Sequence, residues 1–215
     1  MSRQARGPNA ESSRVGGHGE AGRHQLLRVA IDAFARQGFQ GTSIDRIARA
    51  AGVTKGALYY HFRDKEDLLL EAVKDRIGEF ERHVLDAVAP SADAYEQLRR
   101  VVEACFVTAT ESNHRRFIIT LMVEALDTNP RLSEQFRKVL RRMRGFLADV
   151  VSGGQSAGTM RADVSPADAS ALIAGTIMGA EIQHYQDPDE VDLRRILDAS
   201  LRQLADWLSP RAASQ

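Results

Sequence analysis

Between Thr42 and Phe62 the chain reads TSIDRIARAAGVTKGALYYHF, two short stretches of helical period on either side of Ala51, Gly52 and Val53. This spacing constrains the fold more than any other feature of the sequence. Each stretch opens on a threonine, whose side-chain oxygen can accept from the free amides of a helix start. Thr42 with Asp45 three residues on suits a capping box. Ile44, Ile47, Ala48 and Ala51 fall on one apolar stripe. Gly52 closes the first stretch, Val53 is expected as a buried turn residue, and Thr54 caps the second. Upstream, RHQLLRVAIDAFARQG sets Leu27, Ala30 and Phe34 on a helical stripe, flanked by Leu26 and Ala33, with Gly38 as its stop. One packing helix followed by two short helices across a tight turn is the layout of a helix-turn-helix reader of DNA.

The second short helix, TKGALYYHF, divides into two halves on a wheel of about 100° per residue. Ala57, Leu58, His61 and Phe62 share the apolar half, while Lys55, Gly56, Tyr59, Tyr60 and Arg63 share the other. Lys55 can donate to guanine O6/N7 or to phosphate. Gly56 has no Cβ and lets a helix approach closely, at a helical penalty of about 1 kcal/mol relative to Ala. Tyr59 and Tyr60 each bring a ring for a thymine methyl or sugar and a hydroxyl for a phosphate oxygen. Thr54, and Thr42 with Ser43, mark helix N-termini that suit a phosphate. Lys65 opens the next helix and can clamp the flanking backbone. Taken singly, a tyrosine here is as often core, and His61 belongs with the anchoring half.

The rest of the chain is helical in period. A long helix is expected from Asp64 to about Ala89, then helices at about 92–111, 114–127, 131–152, 166–186 and 189–208. The breaks are Asn129-Pro130, the loop GGQSAGTMRADVSP and Asp187-Pro188. The expectation is an all-α chain of about nine helices. Its parts are a disordered tail over residues 1–20, a DNA-binding domain over 21–66 and a larger helical ligand-binding and dimerisation domain over 67–215. Arginines 3, 6 and 14 of the tail could reach a DNA groove, although an untethered terminus is the plainer reading. Net charge is zero over 215 residues, but residues 1–76 hold 13 lysines and arginines against 9 acids, and the remainder 16 against 20. That asymmetry suits one part that meets a polyanion and one that does not.

Several classes are disfavoured. A single cysteine, Cys105, excludes an internal disulfide and fits a reducing cytoplasm. The longest uncharged apolar run, Ala169 to Ala180, is short of the roughly 20 residues a spanning helix needs. Glu181-x-x-His184 has no partner copy of the kind used in carboxylate di-metal bundles. GGQSAG lacks the Lys-Ser/Thr tail of a phosphate loop. No nucleophile elbow or zinc cluster is present, so neither an enzyme nor a cofactor is expected. A helical small-molecule carrier or enzyme with a merely structural helix-turn-helix is the alternative class.

The segment GFQGTSIDRIARAAGVTKGALYYHFRDKEDLLLEAV resembles the DNA-binding region of the TetR family of bacterial transcriptional regulators, over residues 22–75. The resemblance rests on Gly38-Phe39, Thr42, Ile44, Ile47-Ala48, Gly52-Val53, Lys55-Gly56, Leu58 through Phe62, and Lys65-Glu66 with Leu68. It implies a homodimer on a palindromic operator, usually a repressor released by a small ligand. It also implies that Thr42, Ser43, Thr54, Lys55, Gly56, Tyr59, Tyr60, His61 and Lys65 face DNA, a role that for His61 rests on the resemblance alone.

The remaining two-thirds must be read physically. Ala171, Gly175, Gly179 and Ile182 form a stripe of mostly small residues, and the last helix carries Leu193, Ile196, Leu197, Ser200, Leu204 and Trp207. Both suit close helix packing, within one subunit or between two. The resemblance favours the dimer interface. The effector site is expected among the middle helices, near the pivot of the long fourth helix, with Phe106, Phe117, Met122, Met143 and Met178 as apolar candidates and Cys105, His114 and His184 as polar ones. A mainly apolar lining with few polar anchors would take a largely hydrophobic ligand.

Overall fold

The computed structural model describes residues 20–88, 93–111 and 113–210. Within them lie nine α-helices and no strand. The helices are α1 (Glu20–Gly41), α2 (Ile44–Ala50), α3 (Lys55–His61), α4 (Lys65–Ala87), α5 (Ala94–Glu111), α6 (Asn113–Thr128), α7 (Pro130–Ser156), α8 (Pro166–Gln186) and α9 (Leu193–Leu208). The expected tail, with its arginines, lies outside the described residues, as do the expected ends of α4 at Ala89 and of α5 at 92.

The chain divides into two compact units between Asp75 and Arg76. The first comprises α1 to α3 and the opening turns of α4, beyond the boundary expected at residue 66. The reason is packing: Leu68, Leu69, Ala72 and Val73 of α4 are buried, as are Leu27, Ile31 and Phe34 of α1, Ile47 of α2 and Leu58 of α3. Each Leu, Ile, Val or Phe among them contributes about 1.5–3 kcal/mol when taken fully from water. Arg23 of α1 adds an ion pair to Glu71 of α4, and His24 Nδ1 lies against Asp75 Oδ1, both at 2.6 Å. Gly52 sits at φ 68° in the α2–α3 turn, a left-handed conformation that other residues adopt only at a cost. Val53 beside it is half-buried rather than buried.

In the second unit, α5, α7, α8 and α9 and the end of α4 share one core. Leu98, Val102, Cys105, Leu147, Val151, Ile173, Leu193 and Leu197 are among its members. The α7–α8 connection is pinned onto the end of α9: the Arg161 amide donates to the Leu208 carbonyl at 2.8 Å, and Met160 is buried.

Several helix ends differ from expectation; α1 runs to Gly41, past its expected stop, although Gly38 itself is non-helical at φ 70°. The N-cap of α2 is Ser43, whose oxygen accepts from the Arg46 amide, and not Thr42. Helix α7 runs four residues past 152, taking in the Gly-Gly of the expected loop, and its cap is Ala157. Helix α9 begins at Leu193 because Asp192 caps it by accepting from the Arg195 amide.

Candidate functional site

Helix α3 is anchored by Leu58 at its centre and by Phe62 at its end, both buried. Thr54 caps it as expected, accepting from the Ala57 amide at 3.1 Å. The opposite half is open to solvent. Tyr59 is 48% exposed and Tyr60 80%, and Lys55 and Gly56 are exposed with them. Lys55 Nζ donates to Asp45 Oδ2 at 3.2 Å, an exposed pair. Such a pair is worth at most about 1 kcal/mol and is easily exchanged for a phosphate. A Cβ built on Gly56 would meet only Thr54 Oγ1, at 3.8 Å, so nothing inside the protein demands glycine there. Ser43 is exposed at the start of α2. His61 is half-buried and sets its ring edge-on to Tyr60, with centroids 5.1 Å apart.

Two of the expected DNA-facing residues are placed otherwise. Thr42 is 1% exposed, and its hydroxyl serves the carbonyls of Ala33 and Gly38, at 3.2 and 2.8 Å. It ties the end of α1 to the start of α2 and offers no group to a phosphate. Lys65 donates to the Phe39 and Thr42 carbonyls at 2.8 and 3.1 Å, with its ammonium 4.2 Å from the Phe39 ring centroid. It closes the same α1–α2 corner instead of reaching outward. Both residues have polar partners contributed by the end of α1, which no local spacing reveals.

The second unit holds a cavity of about 590 Å³, a size suited to a drug-sized ligand. Ile77, Phe80 and Val84 of α4 face it, together with Ile118 of α6, Phe146 of α7 and Ile177 of α8. Of the expected lining residues, Cys105, His114, Met122, Met143 and Met178 are present. Phe106, Phe117 and His184 are not. The Phe106 ring lies under the Arg194 guanidinium at 3.7 Å, Phe117 is half-buried elsewhere, and His184 Nδ1 sits 2.8 Å from the Val191 carbonyl. Burial pushes the Cys105 thiol up to about 12, so it lines the cavity as a neutral group.

Sequence reading expects the site near the fourth helix but does not name the α4 residues that line it, Ile77, Phe80 and Val84, although they stand at i, i+3 and i+7. It also misses Arg115. This side chain of α6 makes a bidentate ion pair with Glu181 of α8, at 2.9–3.2 Å. Glu181 is fully buried and Arg115 is 12% exposed. Burial pushes the Glu181 carboxyl up against the pull of Arg115; burial also opposes the Arg115 charge, which Glu181 more than restores.

On α8 and α9 the structure leaves an apolar surface uncovered. Ala171, Gly175 and Ile182 are exposed, Gly179 is partly so, and Leu172 (55%) and Ile196 (37%) join them. Ser200 is half-buried, while Leu204 and Trp207 rest partly against their own core. Leu193 and Leu197, expected on this face, are buried inside the subunit. Among the described residues no group of His, Cys, Asp and Glu could hold a metal, and no helix is long and apolar enough to cross a membrane.

A short helix presenting a cation, bare backbone and two phenols, and a separate unit built around an apolar cavity, divide the work of a DNA-binding transcriptional regulator. The comparisons agree. Residues 26–72 match the bacterial regulatory proteins of the tetR family, and residues 94–209 match the C-terminal region of BetI-type transcriptional repressors. The chain belongs to the TetR family. The fatty acid metabolism regulator protein of Bacillus subtilis is 26% identical over 153 residues, 71% of this chain and 78% of that one. The repressor KstR2 of Mycobacterium tuberculosis is 31% identical over 154 residues, 70% of this chain and 75% of that one. In fold, the chain is similar to Bacillus subtilis FadR in complex with stearoyl-CoA, with a TM-score of 0.75, 22% identity and coverage of 86% and 99%. It is similar also to a transcriptional regulator of Saccharomonospora viridis in complex with choline, with a TM-score of 0.77, 22% identity and coverage of 90% and 100%.

Proposed function

We propose that the protein is a cytoplasmic homodimeric repressor that holds a palindromic operator through α3 and releases it when a small, largely apolar ligand fills the cavity. One observation carries the reading. The cavity wall includes Ile77, Phe80 and Val84, and these belong to the same helix, α4, whose opening turns are part of the DNA-binding unit. A ligand that packs on that wall acts on a helix the reader unit cannot do without. Two recognition helices entering successive major grooves must stand roughly 34–36 Å apart. A ligand that binds better to a conformer with another spacing draws the population away from DNA. Turning such a switch almost completely needs about a 10⁴-fold preference between the conformers. The dimer would form on the uncovered α8–α9 face, where Gly175 and Gly179 let helices approach closely.

The stearoyl-CoA in the FadR complex supports a long apolar occupant. Selecting bound duplexes from a random DNA pool tests the first half of the reading, and the expected result is a two-fold symmetric consensus. Sequence-indifferent binding across salt concentrations would overturn it. Release of the selected duplex by a long-chain acyl compound tests the second half.

A further inference from the structure

We infer that Arg115 selects, among apolar occupants of the cavity, those that carry a carboxylate, which it receives on the edge of its guanidinium that Glu181 leaves open. The inference rests on the cavity being the effector site. The charged groups around it fall into two sets. Arg76 pairs with Glu79, and Arg142 pairs with Glu81 at 2.8 Å; all four are 30% exposed or more, and Glu111, which also lines the cavity, is exposed, so these groups are solvated. Arg115 is the charged side chain of the wall that is nearly closed from solvent.

Its geometry leaves it half used. Glu181 engages Nε and Nη2 only. A guanidinium has five N–H donors in a fixed fork, and among the described residues Nη1 has no acceptor. Arg115 and Phe80 belong to the cavity wall and Glu181 does not, so the carboxylate that holds one edge of the guanidinium is not itself part of the wall. The guanidinium carbon lies 4.9 Å from the Phe80 ring centroid, which together with the Glu181 bonds holds the plane in place before any ligand arrives.

The chemistry of the occupant follows. A carboxylate accepts a charge-assisted hydrogen bond from Nη1, and beside a guanidinium only 12% exposed that bond is stronger than at the surface. A quaternary ammonium meets the opposite conditions. It has no acceptor for Nη1, and the Arg115 guanidinium already lies over one face of the Phe80 ring, where the ammonium would otherwise bind through the π-electrons. A neutral chain gains the apolar contacts and nothing more.

The experiment compares three probes of equal chain length on the intact protein by titration calorimetry at neutral pH: dodecanoate, dodecanol and dodecyltrimethylammonium, each below its micelle concentration. Dodecanoate is expected to bind roughly tenfold to a hundredfold tighter than dodecanol, and the ammonium weakest. Removing Arg115 alone would strand a buried carboxylate and endanger the fold, whereas replacing both members of a buried pair with apolar residues is commonly tolerated. The double variant Arg115→Met/Glu181→Leu is therefore expected to fold and to bind the three probes alike. Equal binding of the three to the wild type overturns the inference while leaving the effector site standing. A carboxylate preference that survives in the double variant also overturns it. Binding of none of the three overturns the effector-site reading itself, and the inference with it.

Discussion

Thr42 and Gly56 separate what holds the reader unit together from what it turns outward. The Thr42 hydroxyl is buried on two carbonyls, so Thr42→Val is expected to lower stability by about 1–3 kcal/mol by leaving acceptors unsatisfied. Denaturant unfolding reads that loss, while operator affinity measured well below the melting point stays unchanged. Gly56→Ala should do the reverse. Its Cβ has room in the free protein, so the fold keeps its stability or gains up to about 1 kcal/mol, yet affinity for the selected operator falls. Wild-type affinity in that variant would show that this face does not meet DNA. Tyr60→Ala, at a side chain 80% exposed, is expected to weaken binding with no change in melting temperature. One acid in the second unit carries a pH signature. Hydrogen bonds from Arg99 and Arg100 hold the Glu96 carboxyl down at about 2, from an ordinary value of 4.5. A depressed acid stabilises the fold above its unfolded value and loses that contribution as pH falls through its folded one. The stability gap between wild type and Glu96→Gln should thus narrow between about pH 5 and pH 2, read from melts across that range. A gap that is constant with pH would mean that the two arginines do not hold the carboxylate.

At the scale of elements, helix centres were legible in the sequence and helix ends were less so. The buried stripes of α1 and α2 follow from apolar spacing alone. Ends depend on which of several competent residues wins. Thr42 and Ser43 are both good caps, and the choice fell to Ser43 because the Thr42 hydroxyl is bonded to the end of α1. Helix α7 runs through Gly153 and Gly154 because Met160 packs where a side chain on Gly154 would stand: a Cβ there would fall 2.6 Å from its sulfur. That contact is made across the following turn and cannot be read from glycine content, which signals a loop. The α2–α3 turn was legible, since Gly52 at φ 68° occupies a conformation that side chains disfavour. Gly52→Ala is expected to cost about 1–2 kcal/mol, measured by urea unfolding, and to reduce operator binding only in proportion to the unfolded fraction.

For the whole molecule, the uncovered face of α8 and α9 is the surface on which the proposed dimer can be tested. Placing a charge on this face, Ile182→Glu, is expected to give a folded monomer by sedimentation velocity and to abolish high-affinity binding to a two-fold operator. A variant that stays dimeric would move the interface elsewhere. What the sequence by itself determined is what local order encodes: the all-helical class, the helix-turn-helix, and the two faces of α3, because period and turn chemistry act over a few residues. Tertiary structure alone decided that Thr42 and Lys65 serve the α1–α2 corner, that Phe106 and His184 stand outside the cavity, and that Arg115 meets Glu181. The last two residues are 66 positions apart. Neither shows its purpose in its own neighbourhood, since a buried charge is explained only by the partner that the packing of helices brings to it.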